Sequence, residues 1–230
     1  MKTIIVGGTR GIGKTITKII NKRGDDYVTL SRRKKIHNHI QFDLLNFEKS
    51  LNNLNKIKKI DNLIFTQRYR GKNNVEDFKV IVEATKNIIN YFKNKFNKNG
   101  SIVILSSISV ITVVPDQDID YHLTRGALEQ MVRYFAVELG PKNIRVNCVM
   151  PTKIIKPENQ DFFLKKQNSV TKMMKKITPL SRMGTSHDIA YLVEFLTSKK
   201  SSFITGMSFP MDGGSRLMNQ EAIAKKFYKK

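Results

Sequence analysis

Short runs of β-branched and aliphatic residues alternate along this chain with longer segments in which apolar positions return every three to four residues. The short runs predict strands at 3–6, 27–30, 40–42, 62–66, 101–106, 145–149 and 208–210, about seven in all. The longer segments predict helices over 11–22, 75–96, 121–139 and 186–197. In the last of these Ile189, Leu192, Val193 and Leu196 form one apolar stripe, and Ser186 stands where an N-cap belongs. Strands that are apolar throughout, interleaved with amphipathic helices, predict an α/β fold: a doubly wound parallel sheet with helices on both faces. The connection 31–38 is too short for the usual crossover helix, so a loop or a single turn is expected there. No repeat, long linker or low-complexity stretch divides the chain, and residues 1–230 read as a single domain.

Composition adds limits rather than a fold. At 40% hydrophobic residues the 230-residue chain can bury one sizeable core. No stretch approaches the roughly 18 unbroken apolar residues of a membrane span. The opening segment reaches Gly7 too soon for a signal peptide, so a soluble, cytoplasmic protein is expected. The lone Cys148 lies in an apolar run and reads as a small core residue. His37, His39, His122 and His187 have no metal-ligand spacing, and no metal is expected.

The formal charge of +22 creates a field that draws anions: nucleic acid, acidic carrier proteins or phosphorylated cofactors. Its lysines are scattered among asparagines without aromatic interleaving, which argues for a solvated basic surface over specific nucleic-acid binding.

The chemistry begins directly after the first predicted strand, at Gly7-Gly8-Thr9-Arg10-Gly11-Ile12-Gly13. A turn of this composition lets the backbone approach a pyrophosphate, and the free N–H groups at the following helix start favour its charge. A tight turn with no ligand is the plainer alternative. At the end of the second strand Ser31-Arg32-Arg33 stands where an acidic residue would accept from the ribose of NAD. A guanidinium there, with Arg10 facing the same group, binds a 2′-phosphate instead. NADP(H) is therefore the expected cofactor, against the alternative of an ordinary basic loop.

The spacing Gly-x-x-x-Gly-x-Gly after an N-terminal strand resembles the fingerprint of the short-chain dehydrogenase/reductase family. Further segments carry the resemblance from residue 3 to about 214: Asp43-Leu44, the strand Gly100 to Ser107 ending in a serine pair, and Tyr121-His122-Leu123-Thr124-Arg125-Gly126-Ala127-Leu128. Ile144-Arg145-Val146-Asn147, Pro151-Thr152, Pro179 to Gly184, Ile204-Thr205-Gly206 and Met211-Asp212-Gly213-Gly214 complete it. The resemblance implies a Rossmann-type sheet and hydride transfer between a nicotinamide and a carbonyl carbon. It implies Tyr121 as proton donor, Ser107 as the hydroxyl that positions the substrate oxygen, and Arg125 beside them. For the cofactor it implies contacts from the glycine turn (Gly7, Thr9, Arg10, Gly11, Ile12, Gly13), from Ser31 and Arg32, and from Asp43 and Leu44 at the adenine. Thr66, Tyr121, Arg125, Pro151 and Thr152 would meet the nicotinamide half.

The sequence also departs from the family pattern. Val6 replaces a threonine, and Thr152 a glycine. Arg125 replaces a lysine one helical turn beyond Tyr121; it keeps the charge but cannot shed a proton, so a lysine-type proton relay is broken or rerouted. Phe65-Thr66-Gln67-Arg68, followed by Tyr69-Arg70-Gly71, replaces Asn-Asn-Ala-Gly, and Thr85 stands for the relay asparagine if Phe78 is the aligned aromatic. The interval from Ser107 to Tyr121 is about a residue longer than the family habit, which makes Ser106 the next candidate.

Two readings follow. One is an active NADP(H)-dependent oxidoreductase that reduces a ketone or 3-oxoacyl group on a small molecule or acyl thioester. The other is an NADP(H)-binding protein with little turnover, serving as a sensor or assembly partner. The resemblance implies a homo-oligomer, tetramer or dimer, formed through the helices at 75–98 and 121–140. Phe162, Phe163, Leu164, Met173 and Met174 in the segment 152–176 read either as an apolar lid over a substrate or as ordinary packing.

Overall fold

The computed structural model describes residues 1–33, 37–165 and 168–228. In chain order the elements are β1 (Lys2–Val6), α1 (Gly11–Lys22), β2 (Asp26–Ser31), β3 (His39–Gln41), α2 (Phe47–Leu51) and β4 (Ile60–Phe65). There follow α3 (Asn74–Phe78), a π turn (Lys79–Glu83), α4 (Ala84–Phe92), β5 (Phe96–Leu105), α5 (Ile119–Leu139), β6 (Arg145–Pro151) and β7 (Ile154–Ile155). The chain continues with α6 (Gln160–Leu164), α7 (Ser169–Ile177), β8 (Gly184–Thr185), α8 (Ser186–Leu196), β9 (Ser208–Met211) and α9 (Gln220–Tyr228).

Seven strands form one parallel sheet in the order β3-β2-β1-β4-β5-β6-β9, and β7 pairs with β8 in a separate two-stranded ladder. Alternation along each strand supplies two cores, because neighbouring residues point to opposite faces. Ile4, Val6, Leu63, Phe65, Ile102 and Ile104 join Ile88, Phe92, Leu128 and Val132 of α4 and α5 on one face. Ile5, Ile64, Val103 and Val149 join Ile16 and Ile20 of α1 and Ile189 and Val193 of α8 on the other. Cys148 is fully buried in the first core, and burial pushes its thiol up to about 12, the behaviour of a packing residue. Among the described residues no helix is long and apolar enough to cross a membrane.

Three expectations are corrected. The helix expected over 75–96 ends at Phe92, and Phe96 opens β5 opposite Ile60. The segment 93–99 is lysine and asparagine around one apolar side chain, and asparagine competes with helix by bonding its own backbone. Ser186 does not cap α8. Thr185 does, its hydroxyl accepting from the Asp188 N–H at 3.3 Å while the Asp188 carboxylate accepts from the Thr185 N–H at 2.7 Å. Ser186 is buried instead, its oxygen accepting from the Thr15 hydroxyl of α1 at 2.9 Å. The 152–176 segment is neither bare lid nor plain packing: Phe163 and Met174 bury with Met183 in a small third core, whereas Phe162, Leu164 and Met173 are exposed. In the short connection after β2, residues 34–36 lie outside the described residues, and 37–38 form a turn.

The α8 cap sets one pH dependence. The Arg182 guanidinium, two forked bonds of 2.8 Å from the Asp188 carboxylate, holds that group down at about 2. A carboxyl whose folded value is depressed stabilises fully above its unfolded value of 3.8, and that contribution fades as pH falls toward 2. The pair is partly exposed, at 51% for Arg182 and 29% for Asp188, so solvent screening limits its share to about 1 kcal/mol. Asp188→Asn is expected to lower the melting temperature by about 3 °C at neutral pH and by under about 1 °C near pH 2, as read by calorimetry across that range.

Candidate active site

The sheet order reverses direction between β1 and β4, and a crevice opens there past the carboxyl ends of the strands. The glycine turn after β1 fills its floor. Gly7 sits at φ +83°, and a Cβ on it would lie 2.8 Å from the Gln67 backbone that follows β4. A Cβ on Gly13 would lie 2.5 Å from the Gly7 carbonyl, so both positions admit glycine alone. Gly13 lines neither of the two cavities over this floor; it lets α1 sit against the turn. Arg10 caps α1 without any side-chain bond, and no acidic residue occupies the first turn. The first N–H groups of α1 therefore have no side-chain acceptor from its own cap, the arrangement that receives an anion.

Two adjoining cavities share this floor. The first, of about 640 Å³, is lined by Gly7, Thr9, Arg10, Ser31, Arg32, Asp43, Leu44 and Thr66, which brings the expected adenosine-side residues together. The Thr9 and Ser31 hydroxyls are 3.5 Å apart, and the Asp43 carboxylate is held by the Leu45 N–H at 3.2 Å and the Asn46 amide at 2.7 Å. Among the described residues the guanidinium groups of Arg10, Arg32 and Arg33 have no carboxylate partner.

The second cavity, of about 430 Å³, is lined by Arg10, Gly11, Ile12, Thr66, Ser107, Tyr121, Arg125, Pro151 and Thr152. Ser106 lines it as well, and the two serines differ in their hydrogen bonds. The Ser106 hydroxyl donates to the Arg125 carbonyl at 3.1 Å and so is occupied in tethering β5 to α5. Ser107 accepts from the Ser109 N–H at 3.2 Å, which leaves its own hydrogen without an acceptor among the described residues. Tyr121 stands in the first turn of α5, where Asp118 caps the helix by accepting from the Tyr121 N–H at 3.2 Å. The phenol hydroxyl itself has no hydrogen-bond partner among the described residues.

Arg125 is one turn further along α5 and is 5% exposed, with its guanidinium carbon 4.6 Å from the centre of the Tyr121 ring. It thus reaches the ring face, a cation–π contact. Its Nη1 is buried with no partner, and so is the Oε1 of Gln67. The Gln67 amide donates to the Thr85 hydroxyl at 2.7 Å, and Thr85 in turn donates to the Ile81 carbonyl at 2.6 Å across the π turn. Thr85, the residue expected in place of the family's asparagine, thus meets an amide from just beyond β4.

The sequence reading missed three charged residues that line the same cavity, Lys153, Lys156 and Glu158; Arg68 and Arg70, from the segment it did single out, line it too. Arg70 pairs with Glu158 at 3.7 Å. Burial, with Arg68 and Arg70 nearby, holds the Lys156 amine below the usual lysine range, and Glu158 opposes the shift. The signal available in the sequence was a pair of opposite charges bracketing Pro157, five to seven residues after the β6 terminus.

Residues 70–216, well over half of the chain, match the family described as enoyl-(acyl carrier protein) reductase. A tropinone reductase homolog of Arabidopsis thaliana is 29% identical over 241 residues, covering 92% of this chain and 90% of that protein. A second homolog from the same plant is 36% identical over 120 residues, 52% of this chain and 44% of that protein; in this and several other such matches the chain spans under half of the relative's length. A short-chain dehydrogenase family protein from Francisella tularensis has the same fold, with a TM-score of 0.80 at 25% identity over 94% of this chain and 99% of that one. With a parallel seven-stranded sheet, a glycine turn at its switch point and these matches over most of its length, the chain belongs to the short-chain dehydrogenase/reductase family of oxidoreductases.

Proposed function

We propose that this protein uses NADP(H) to reduce a carbonyl, on a small molecule or an acyl thioester, to an alcohol, with Tyr121 as the proton donor. The observation that carries the reading is the second cavity, where an unpartnered phenol, the free Ser107 hydrogen and the uncapped start of α1 meet. The residues present fit a dinucleotide. The glycine turn admits no Cβ, the α1 start wants an anion, and the buried Arg125 Nη1 and Gln67 Oε1 each lack a partner. Gly7 and Thr9 to Ile12 would hold the pyrophosphate, with Gly13 seating α1 behind them, Ser31, Arg32, Asp43 and Leu44 the adenosine, and Thr66, Arg125, Pro151 and Thr152 the nicotinamide half. When bound, the reduced nicotinamide supplies the hydride.

The chain's own residues do the rest. Ser107 donates to the carbonyl oxygen and fixes its position, and Tyr121 gives the proton as negative charge develops there. Arg125 on the ring face stabilises the phenolate that results. The test is NADPH consumption against a panel of ketones and 3-oxoacyl thioesters. The cofactor choice is tested separately: Arg32→Ala is expected to weaken NADPH binding by about tenfold to a hundredfold while NADH binding stays the same, since a charge-assisted bond contributes about 1.5–3 kcal/mol. Equal losses for the two cofactors in a fluorescence titration would overturn the NADP(H) assignment.

A second reading, binding with little turnover, is favoured by the Gln67–Thr85 bond, which occupies the relay position, and by an arginine that cannot titrate. It predicts that NADPH binds and that no carbonyl in the panel is reduced. The cytoplasmic and homo-oligomeric setting belongs to the same proposal. Tyr134 and Val137 on α5 are 62% and 79% exposed, apolar surface that a second copy would cover.

A further inference from the structure

Each alcohol formed by the proposed reaction removes a proton from Tyr121 and leaves a phenolate, so turnover needs a group that gives a proton and takes another from water. Arg125 touches the ring but keeps its protons at every working pH. Ser107 holds its own hydrogen too tightly to serve. The remaining ionisable side chains around this cavity include Arg10, Arg68, Arg70, Lys153, Lys156 and Glu158.

Of these, Lys156 has the right chemistry and the right placement. It follows β7, which is fixed to β8, and its N–H donates to the Asn159 carboxamide at 2.6 Å, so its backbone is pinned at the cavity wall. Its side chain is half-buried, whereas Lys153 is exposed. We propose that Lys156 returns the proton to Tyr121 after each reduction, taking over the task that Arg125 cannot perform. This role rests on the reading of Tyr121 as proton donor. In the step, the Lys156 N–H bond breaks and its electron pair stays on nitrogen; an O–H bond forms on the Tyr121 phenolate; the neutral amine then takes a proton from water.

The surrounding charges support the transfer. Burial, Arg68 and Arg70 weaken the hold of Lys156 on its proton, while Glu158 and the Tyr121 phenolate keep it charged until it is needed. A donor whose proton affinity lies near that of its acceptor, and closer to the working pH, exchanges fastest.

The test pairs kinetics with a measurement that needs no turnover. In Lys156→Met the first equivalent of NADPH is expected to be consumed at the wild-type rate in stopped flow, and steady-state kcat to fall roughly a hundredfold. The fall in kcat as pH rises through the Lys156 titration disappears with it. A small primary amine in the buffer restores kcat, Arg125→Lys in the Lys156→Met background restores it too, and Lys156→Arg does not. Full kcat with an unchanged pH profile in Lys156→Arg overturns the proposal.

In the cofactor-free protein, NMR of ¹³C-methylated lysines is expected to show Lys156 titrating below the other lysines, and lower still in Tyr121→Phe. A Lys156 signal that titrates with the rest and ignores Tyr121→Phe overturns the proposal whatever the kinetics. Should the coupling be present and the wild type reduce no ketone, the reductase reading falls, and the proton-return role falls with it.

Discussion

Tyr121→Phe is expected to lower kcat by roughly 10²–10⁴, the range a positioned proton donor contributes, while NADPH affinity stays within about twofold. The substitution removes one oxygen and keeps the ring. That ring is what Arg125 lies on and what His122 meets edge-on, so the local packing has no reason to move. The lost hydroxyl has no hydrogen-bond partner among the described residues, so no buried group is orphaned by its removal. Losses in binding and turnover should therefore separate cleanly, and KM for the ketone should change far less than kcat. Undiminished turnover in Tyr121→Phe, measured by NADPH consumption alongside a binding titration, would remove the phenol from the chemistry.

The largest effect on stability is expected from Arg23→Ala, at the end of α1. Arg23 forks onto Asp25 with bonds of 3.0 and 2.7 Å, and it also donates to the Glu194 carbonyl and the Thr197 hydroxyl at the far end of α8. The Asp25 side chain is only 2% exposed and takes a further bond of 2.5 Å from Thr3 in β1. Removing the guanidinium leaves a buried carboxylate without its counter-charge, which costs about 3 kcal/mol or more, and in a domain of this size that is about 10 °C of melting temperature. The adjacent pair Lys2–Asp26 is the internal comparison. Its partners are 37% and 65% exposed, and Asp26→Asn should shift the melting temperature by at most about 2 °C.

The sheet was legible because its strands are local statements. Runs such as Thr3-Ile4-Ile5-Val6 are apolar on both sides and β-branched, and nothing but a strand covered on two faces suits them. The helix over 11–22 was legible to the residue for a similar reason: a glycine turn opens it and its apolar stripe is unbroken. Elements set by distant partners were not. The two-residue strands Ile154–Ile155 and Gly184–Thr185 exist only because each finds the other, and no periodicity in either announces it. The cap of α8 slipped by one residue because Thr185 and Ser186 are chemically equivalent in sequence; the Thr15 hydroxyl on α1 decides between them.

The site divides along the same line. The glycine turn, Ser107 and Tyr121 are marked by motifs and fall together around the crevice. The sequence puts Ser107 ahead of Ser106, and the structure adds the Arg125 carbonyl, which accepts from the Ser106 hydroxyl. Lys156 and Glu158 sit in a segment with no motif, and they reach the cavity through the path the chain takes after β6. Thr85 reads as a deficit on α4 until the Gln67 amide is found against it from the neighbouring strand.

The uncapped start of α1 has a thermodynamic corollary. An anion seated there completes the helix's own polar accounting, so occupancy of the crevice and cohesion of the domain are one linked equilibrium. Because α1 is bound to α8 by the Thr15–Ser186 hydroxyl pair and by Arg23, the gain spreads into the C-terminal half. At a free dinucleotide concentration a hundred times its Kd, that gain is about 2.7 kcal/mol, close to what deletion of the Arg23 guanidinium is expected to cost.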